Sequence, residues 1–258
     1  MKNRLSFLLF LSLSWLHTHA QLNESDTVKF QVRTSLTGNY QEGNVNIFTI
    51  RSKLDLSFMP VKNFVFKSQN SSLYQALSSK KADNDIFSRN YFYYKPQNKF
   101  YPFAIAYISA NFRRKIDKRM FAGAGLTFQL LNKKYHVVKI SASTVFETNT
   151  FKAIVFNYPE YNGSNKIDMW RGTLFIGGWN YLLNKKLRFY YDAYWQPAFN
   201  NKNNYRTQFD IGADWPVWKG LSLNVLYTYT HENVTVSAVK QNDKIFTFGL
   251  GYSFRMKR

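Results

Sequence analysis

His136 and His231 are the histidines that follow residue 20, and acid–base or metal chemistry in this chain has to start from them. Glu232 sits beside His231, and Ser237 follows shortly after. A lipid hydrolase would need such a base next to a serine nucleophile, or a metal site, at the rim where it meets its substrate. Neither histidine lies in a hydrolase signature, and no cluster has metal-ligand spacing. The chain has no cysteine, which removes thiolate nucleophiles, thiolate metal sites and disulfides. The segments GAGLTF and GLGYSF alternate as strands do and do not form phosphate loops. No catalytic residue, cofactor or metal is expected.

A second set of polar residues has a regular spacing. Lys29, Arg33, Arg51, Lys53, Asp55, Lys139, Glu147, Arg188, Asp192, Arg206, Asp210 and Asp214 each alternate with apolar or aromatic neighbours. Side chains two apart share one face of a strand, so these charges belong to one surface and the apolar residues to the other. If that surface lines a lumen, two outcomes are open. A basic wall on the first two strands would favour anionic solutes in a narrow pore. Alternatively, the charges pair across the lumen and fill it, an outcome favoured by the mixed signs on strands nine and ten, because small barrels are packed with side chains.

The elements that must hold these residues are strands of about ten residues, each with a period of two. Val28, Phe30, Val32, Thr34 and Leu36 share one face of the first, and Phe48, Ile50, Leu54, Leu56 and Phe58 share one face of the second. Further strands are expected near 62–74, 86–95, 102–113, 119–131, 136–148, 169–182, 186–196, 204–215, 220–231 and 244–254. That is about twelve, the even number usual for a bacterial transmembrane barrel. Connections after even strands are compact (MPVKN, NKKY, NKK), whereas those after strands three, seven, nine and eleven are longer and polar. The connections after strands one and five are short, so part of the outer rim should be low.

Aromatics make up 19% of the chain, and many fall near expected strand ends, including Tyr91, Tyr93, Trp170, Trp179, Tyr190, Tyr194 and Trp215. Girdles at the two faces of a membrane would place them there. A soluble sandwich or lipocalin-like barrel is the rival, but it would turn the apolar face inward. The expected fold class is therefore all-β, a transmembrane antiparallel up-and-down barrel over residues 21–258.

Residues 1–20 read as a signal peptide: Lys2 and Arg4, an apolar run from Leu5 to Leu16, then a small-residue cleavage site ending at Ala20. This implies export and a Gram-negative outer membrane location. The net charge of +20 is spread over turns and strands without a nucleic-acid motif, so no nucleic-acid partner is expected. Outer membrane lipid and lipopolysaccharide are the expected surroundings. The closing strand, with Phe246, Phe248, Leu250, Tyr252 and Phe254 on one face, reads as the signal for the barrel assembly machinery, and Arg255 to Arg258 as a short basic extension beyond it.

The stretch from Ala106 to Thr148 also resembles the core of a family of salt-induced outer membrane proteins. In that pattern an aromatic strand and a short basic connection precede a glycine strand, here Gly123, Gly125, Leu126 and Phe128. An alternating strand closing on an acid follows, here ending at Glu147. The resemblance implies an outer membrane barrel and brings no catalytic residue.

Overall fold

The structure, a computed structural model, describes residues 29–42, 46–184 and 186–256. The expected leader, residues 1–20, and the expected mature start at Gln21 lie outside them. Twelve antiparallel strands close into one barrel. They are β1 (Phe30–Gln41), β2 (Ile47–Val61), β3 (Phe64–Leu77), β4 (Lys80–Tyr94), β5 (Phe100–Asn111) and β6 (Ile116–Lys133). Then come β7 (His136–Phe151), β8 (Lys166–Leu182), β9 (Leu187–Pro197), β10 (Tyr205–Trp218), β11 (Leu221–Glu232) and β12 (Asn242–Met256). Each strand pairs with its sequence neighbours, and β12 closes on β1 from Phe30 opposite Met256 to Gly38 opposite Phe248. Closure leaves no unpaired strand edge, the condition for a sheet to stand in lipid.

The period-two pattern decides which side faces out. On β12, Phe246, Phe248, Leu250, Tyr252 and Phe254 are all exposed on the outer surface, whereas Thr247 between them is 1% exposed. Leu223 and Val225 on β11 and Leu174 and Ile176 on β8 continue the outer apolar surface. A water-soluble barrel would place these rows inside; an apolar exterior around a polar interior is the membrane arrangement.

Gly123 shows why glycine recurs in β6. A Cβ there would stand 2.0 Å from the Thr144 carbonyl oxygen of β7, so the two strands approach more closely than any side chain permits.

At the end holding the termini, all connections are tight. At the opposite end the rim is uneven, as expected, but the low side is longer than the sequence suggests. The segment after β3, expected as a loop, is a two-residue turn: Ser78 and Ser79 have φ of 46° and 64°, and Leu77 pairs with Lys80. Both central residues are left-handed, the geometry that matches the twist of a hairpin. Beyond β7, β9 and β11 the connections are long and fold over the barrel mouth.

A further expectation changes. Arg255 and Met256 extend β12, with Arg255 opposite Gln31 and Met256 opposite Phe30, so they are ladder residues and not a free extension. Lys29 precedes β1 with its side chain exposed, and its carbonyl still accepts the Met59 N–H at 3.0 Å.

Candidate functional site

At the long-loop end, the connections after β7, β9 and β11 form a lid with its own apolar core. Phe156 forms a β-bridge with Val236, and both pack with Phe151, Ile167, Met169 and Val234. Asn157 secures the lid: its Nδ2 donates to the Asn233 carbonyl at 2.7 Å, and its Oδ1 accepts the Thr235 N–H at 2.8 Å. Ile167 and Met169 are inward-facing yet apolar because the lid, and not water, covers them.

Beneath the lid lies a layer of buried ion pairs. Arg119 on β6 donates twice to Glu232 on β11, at 2.7 and 2.9 Å, which ties nearly opposite walls of the barrel. Its Nε reaches Asn149 at 2.6 Å. Glu147, fully buried, accepts from Arg171 Nε at 2.9 Å and from Arg206. Arg114, in the β5–β6 connection, bonds Asp243 at 2.8 Å. Such paired, two-pronged guanidinium–carboxylate contacts are the strong class of charge-assisted hydrogen bond.

The terminus end is closed by different means. On one side Arg33 and Arg188 share Asp214, with Asn224 donating to Asp214 at 2.6 Å and to the Tyr190 hydroxyl at 2.9 Å. Tyr190 lies under both guanidiniums, 5.5 Å from Arg33 and 4.5 Å from Arg188. On the other side Met59, Val65, Tyr93, Tyr101 and Phe103 form one apolar cluster, and Val137, Trp179 and Tyr181 another. Tyr91, Tyr93, Trp179, Tyr190 and Tyr194, expected in outer girdles, thus face inward.

Between these layers remain two chambers, of about 110 Å³ and about 80 Å³. Arg89, Gln69 and Asp192 line both. Lys139 lines the larger chamber, and Lys53, Asp55 and Asp210 the smaller. Asp192 stands directly opposite Asp210 across the β9–β10 ladder. Arg51 reaches Thr228 at 3.3 Å.

Apart from Lys29, the residues expected on the lumen face do stand inside the barrel. The structure adds Lys67, Arg89, Arg114, Arg119, Arg171 and Glu232. The alternation of β4 contained Arg89, but its companions Phe87, Tyr91 and Tyr93 make that face look lipid-directed. Glu232, in sequence a neighbour of His231, turns away from it to meet Arg119.

The histidines sit apart from the lumen. His231 faces outward, with Nδ1 2.7 Å from Asn242 Oδ1 and its ring 5.5 Å from Tyr205. His136, by the β6–β7 turn, has Nδ1 3.1 Å from Asn180 Oδ1. No group of three or more metal-ligating side chains gathers among the described residues.

A family model described as "Protein of unknown function, DUF481" matches residues 34–254. No curated protein matches the chain. Among solved structures, the NanC porin is similar at 9% identity over 86% of this chain and 98% of that one, with a TM-score of 0.50. The translocator domain of the autotransporter NalP from Neisseria meningitidis is similar at 11% identity over 98% and 95%, with a TM-score of 0.46. The transport unit of the autotransporter AIDA-I from Escherichia coli is similar at 13% identity over 96% and 98%, with a TM-score of 0.42. At these identities the likeness is one of fold: an outer membrane β-barrel.

Proposed function

The chain belongs to the DUF481 family of proteins of unknown function, and we propose that it is a non-enzymatic integral barrel of a Gram-negative outer membrane, its lumen filled with side chains. The observation that carries this reading is the Arg119–Glu232 pair, which spans the lumen under a packed lid. Opening a continuous path would require separating a buried, two-pronged ion pair, and unpaired buried charge is costly. The engagement of Glu232 by Arg119, which turns it away from His231, supports the absence of hydrolytic chemistry. The resemblance to salt-induced outer membrane proteins supports a role in envelope or salt-stress adaptation. Export through a cleaved leader, insertion by the barrel assembly machinery, and contact with outer membrane lipid and lipopolysaccharide belong to the same reading.

Purified protein that migrates faster before boiling than after it, and that leaves a planar bilayer silent, is the expected result. Recovery from the soluble periplasm would defeat the membrane reading. Resolved conductance steps with anion preference would replace the filled lumen with a small pore. Lipase or deacylase activity lost in His231→Ala would restore the enzyme reading.

A further inference from the structure

The larger chamber has an unusual balance of charge. Five cationic side chains, Lys67, Arg89, Arg119, Lys139 and Arg206, line it together with one carboxylate, Asp192. Glu232 and Glu147, the partners of Arg119 and Arg206, lie in the layer above.

Two of these cations differ in how they are held. Arg89 makes no ion pair within 4 Å among the described residues; it hydrogen-bonds the Tyr91 side chain, interacts through space with Asp192, and lies over the rings of Phe87, Tyr107 and Tyr194, at 5.6, 5.7 and 5.8 Å. Arg206, 3% exposed, has an Nη1 with no hydrogen-bond partner, although its Nε reaches Gln196 and its Nη2 reaches Glu147. A buried polar group left unpaired carries its full desolvation cost, so such an atom at a cavity wall calls for a ligand.

The two arginines stand on opposite walls, β4 and β10, and an aromatic column links them. Arg206 lies 5.5 Å from the Phe121 ring, Phe121 stacks on Tyr107 at 4.5 Å and 14°, and Arg89 lies on the Tyr107 side. The rings orient both guanidiniums, and Arg206 keeps Nη1 free beyond its contacts with Gln196 and Glu147. A donor fixed in orientation and still unpartnered is the preorganisation an anion site needs.

We propose that this chamber binds a small oxyanion at the unpartnered Nη1 of Arg206, drawn in by the cationic lining to which Arg89 belongs. A guanidinium offers paired donors in a plane, matched to the two oxygens of a carboxylate or to a phosphate edge. A chamber of about 110 Å³ is smaller than the roughly 150 Å³ that admits benzene, so the anion is of acetate or phosphate size. This goes beyond the filled-lumen reading and does not depend on conduction: a chamber sealed to ion flow in a bilayer can still exchange a small ligand during slower opening.

The test uses full-length protein folded in detergent, with fold checked by heat-modifiable migration. Acetate and inorganic phosphate are titrated separately at constant ionic strength, with chloride as control, and binding is read by ligand NMR line broadening and by tyrosine fluorescence. Saturable binding of at least one oxyanion, with chloride not saturating, is expected. Which arm saturates distinguishes carboxylate from phosphate recognition. Arg89→Gln should weaken binding at least tenfold. Arg206→Lys retains the charge opposite Glu147 but loses the planar fork, and should weaken it similarly. Lys202→Gln, on an outer connection, should leave it unchanged. Non-saturating response to both oxyanions, or binding unaltered in folded Arg89→Gln and Arg206→Lys, overturns the proposal. Bilayer conductance of the same preparations is read independently, so a failed pore test and a failed binding test remain distinct.

Discussion

Glu147 concentrates the lumen's electrostatics in one side chain. It accepts hydrogen bonds from Arg171, Arg206 and Asn149, the last at 2.7 Å, and it is fully buried. Glu147→Gln removes the charge while keeping the shape, leaving two guanidiniums facing each other in a desolvated layer. The expected loss is about 3–5 kcal/mol, the range for breaking a buried ion pair on one side, read as a lower urea midpoint in detergent or liposomes. An unchanged midpoint would mean that water already screens this layer. That Glu147 faces inward was legible from its alternation with the outward Phe146 on the strand, because period two needs no knowledge of the partner. What it meets was not legible. Arg206 lies 59 residues away, and Arg119 and Glu232, which meet across the lumen, are 113 apart. Such pairs depend on barrel width and on the stagger of strands, quantities that no single strand's pattern contains. The same limit explains Arg89, whose aromatic companions disguise an inward face as an outward one.

Strand-level features divide into those fixed by side-chain type and those fixed by backbone approach. The glycines of β6 and β12 look alike in sequence, yet the structure separates Gly251 from Gly123, Gly125 and Gly249, each of which is pressed against a backbone carbonyl of the adjacent strand. A methyl at Gly123 would meet the Thr144 carbonyl oxygen at 2.0 Å, a backbone atom that cannot rotate away, whereas one at Gly251 meets the Ser222 hydroxyl at 3.1 Å. Gly123→Ala should therefore lower the unfolding midpoint by about 1–3 kcal/mol, the usual cost of forced overpacking, while Gly251→Ala should be nearly neutral by the same measurement. Equal effects at both sites would refute the close-approach account. On β12, Phe254 is outward-facing and exposed opposite Val32. Phe254→Ala should slow folding into liposomes, measured by the appearance of the heat-modifiable band, and removal of residues 257–258 should not. Removing Arg255 and Met256 as well takes away two rungs of the closing ladder, so that truncation should slow assembly too. Sequence alternation revealed the strand but not its end, since basic residues can sit in a ladder as readily as beyond it. The Ser78–Ser79 turn is hidden for a related reason: serine, lysine and aspartate read as a loop, and only the left-handed backbone of both serines shows that the hairpin is tight.

The barrel as a whole is lopsided. From β1 to β6 the far rim is low, with short connections such as Ser78–Ser79, whereas from β7 to β12 three long connections fold inward and bury Phe156 and Val236 to 4% and 2% exposure. Two barriers therefore lie in series at that end, an apolar lid and the Arg119–Glu232 layer below it, and they can be removed separately. Phe156→Asp with Val236→Asp places two carboxylates in the lid core, where like charges and desolvation both oppose closure. Limited proteolysis should then cut within residues 152–165 while the transmembrane strands stay protected, and a planar bilayer should stay silent because the ion-pair layer is intact. Adding Arg119→Ala together with Glu232→Ala deletes both partners of the crossing pair. This leaves space in place of the pair and avoids stranding one charge. The combined variant should stay silent too, because the aromatic and Arg33–Asp214–Arg188 closure at the terminus end is untouched. Conductance from the lid variant alone would assign the seal to the lid, and conductance from the combined variant alone would assign it to the ion-pair layer.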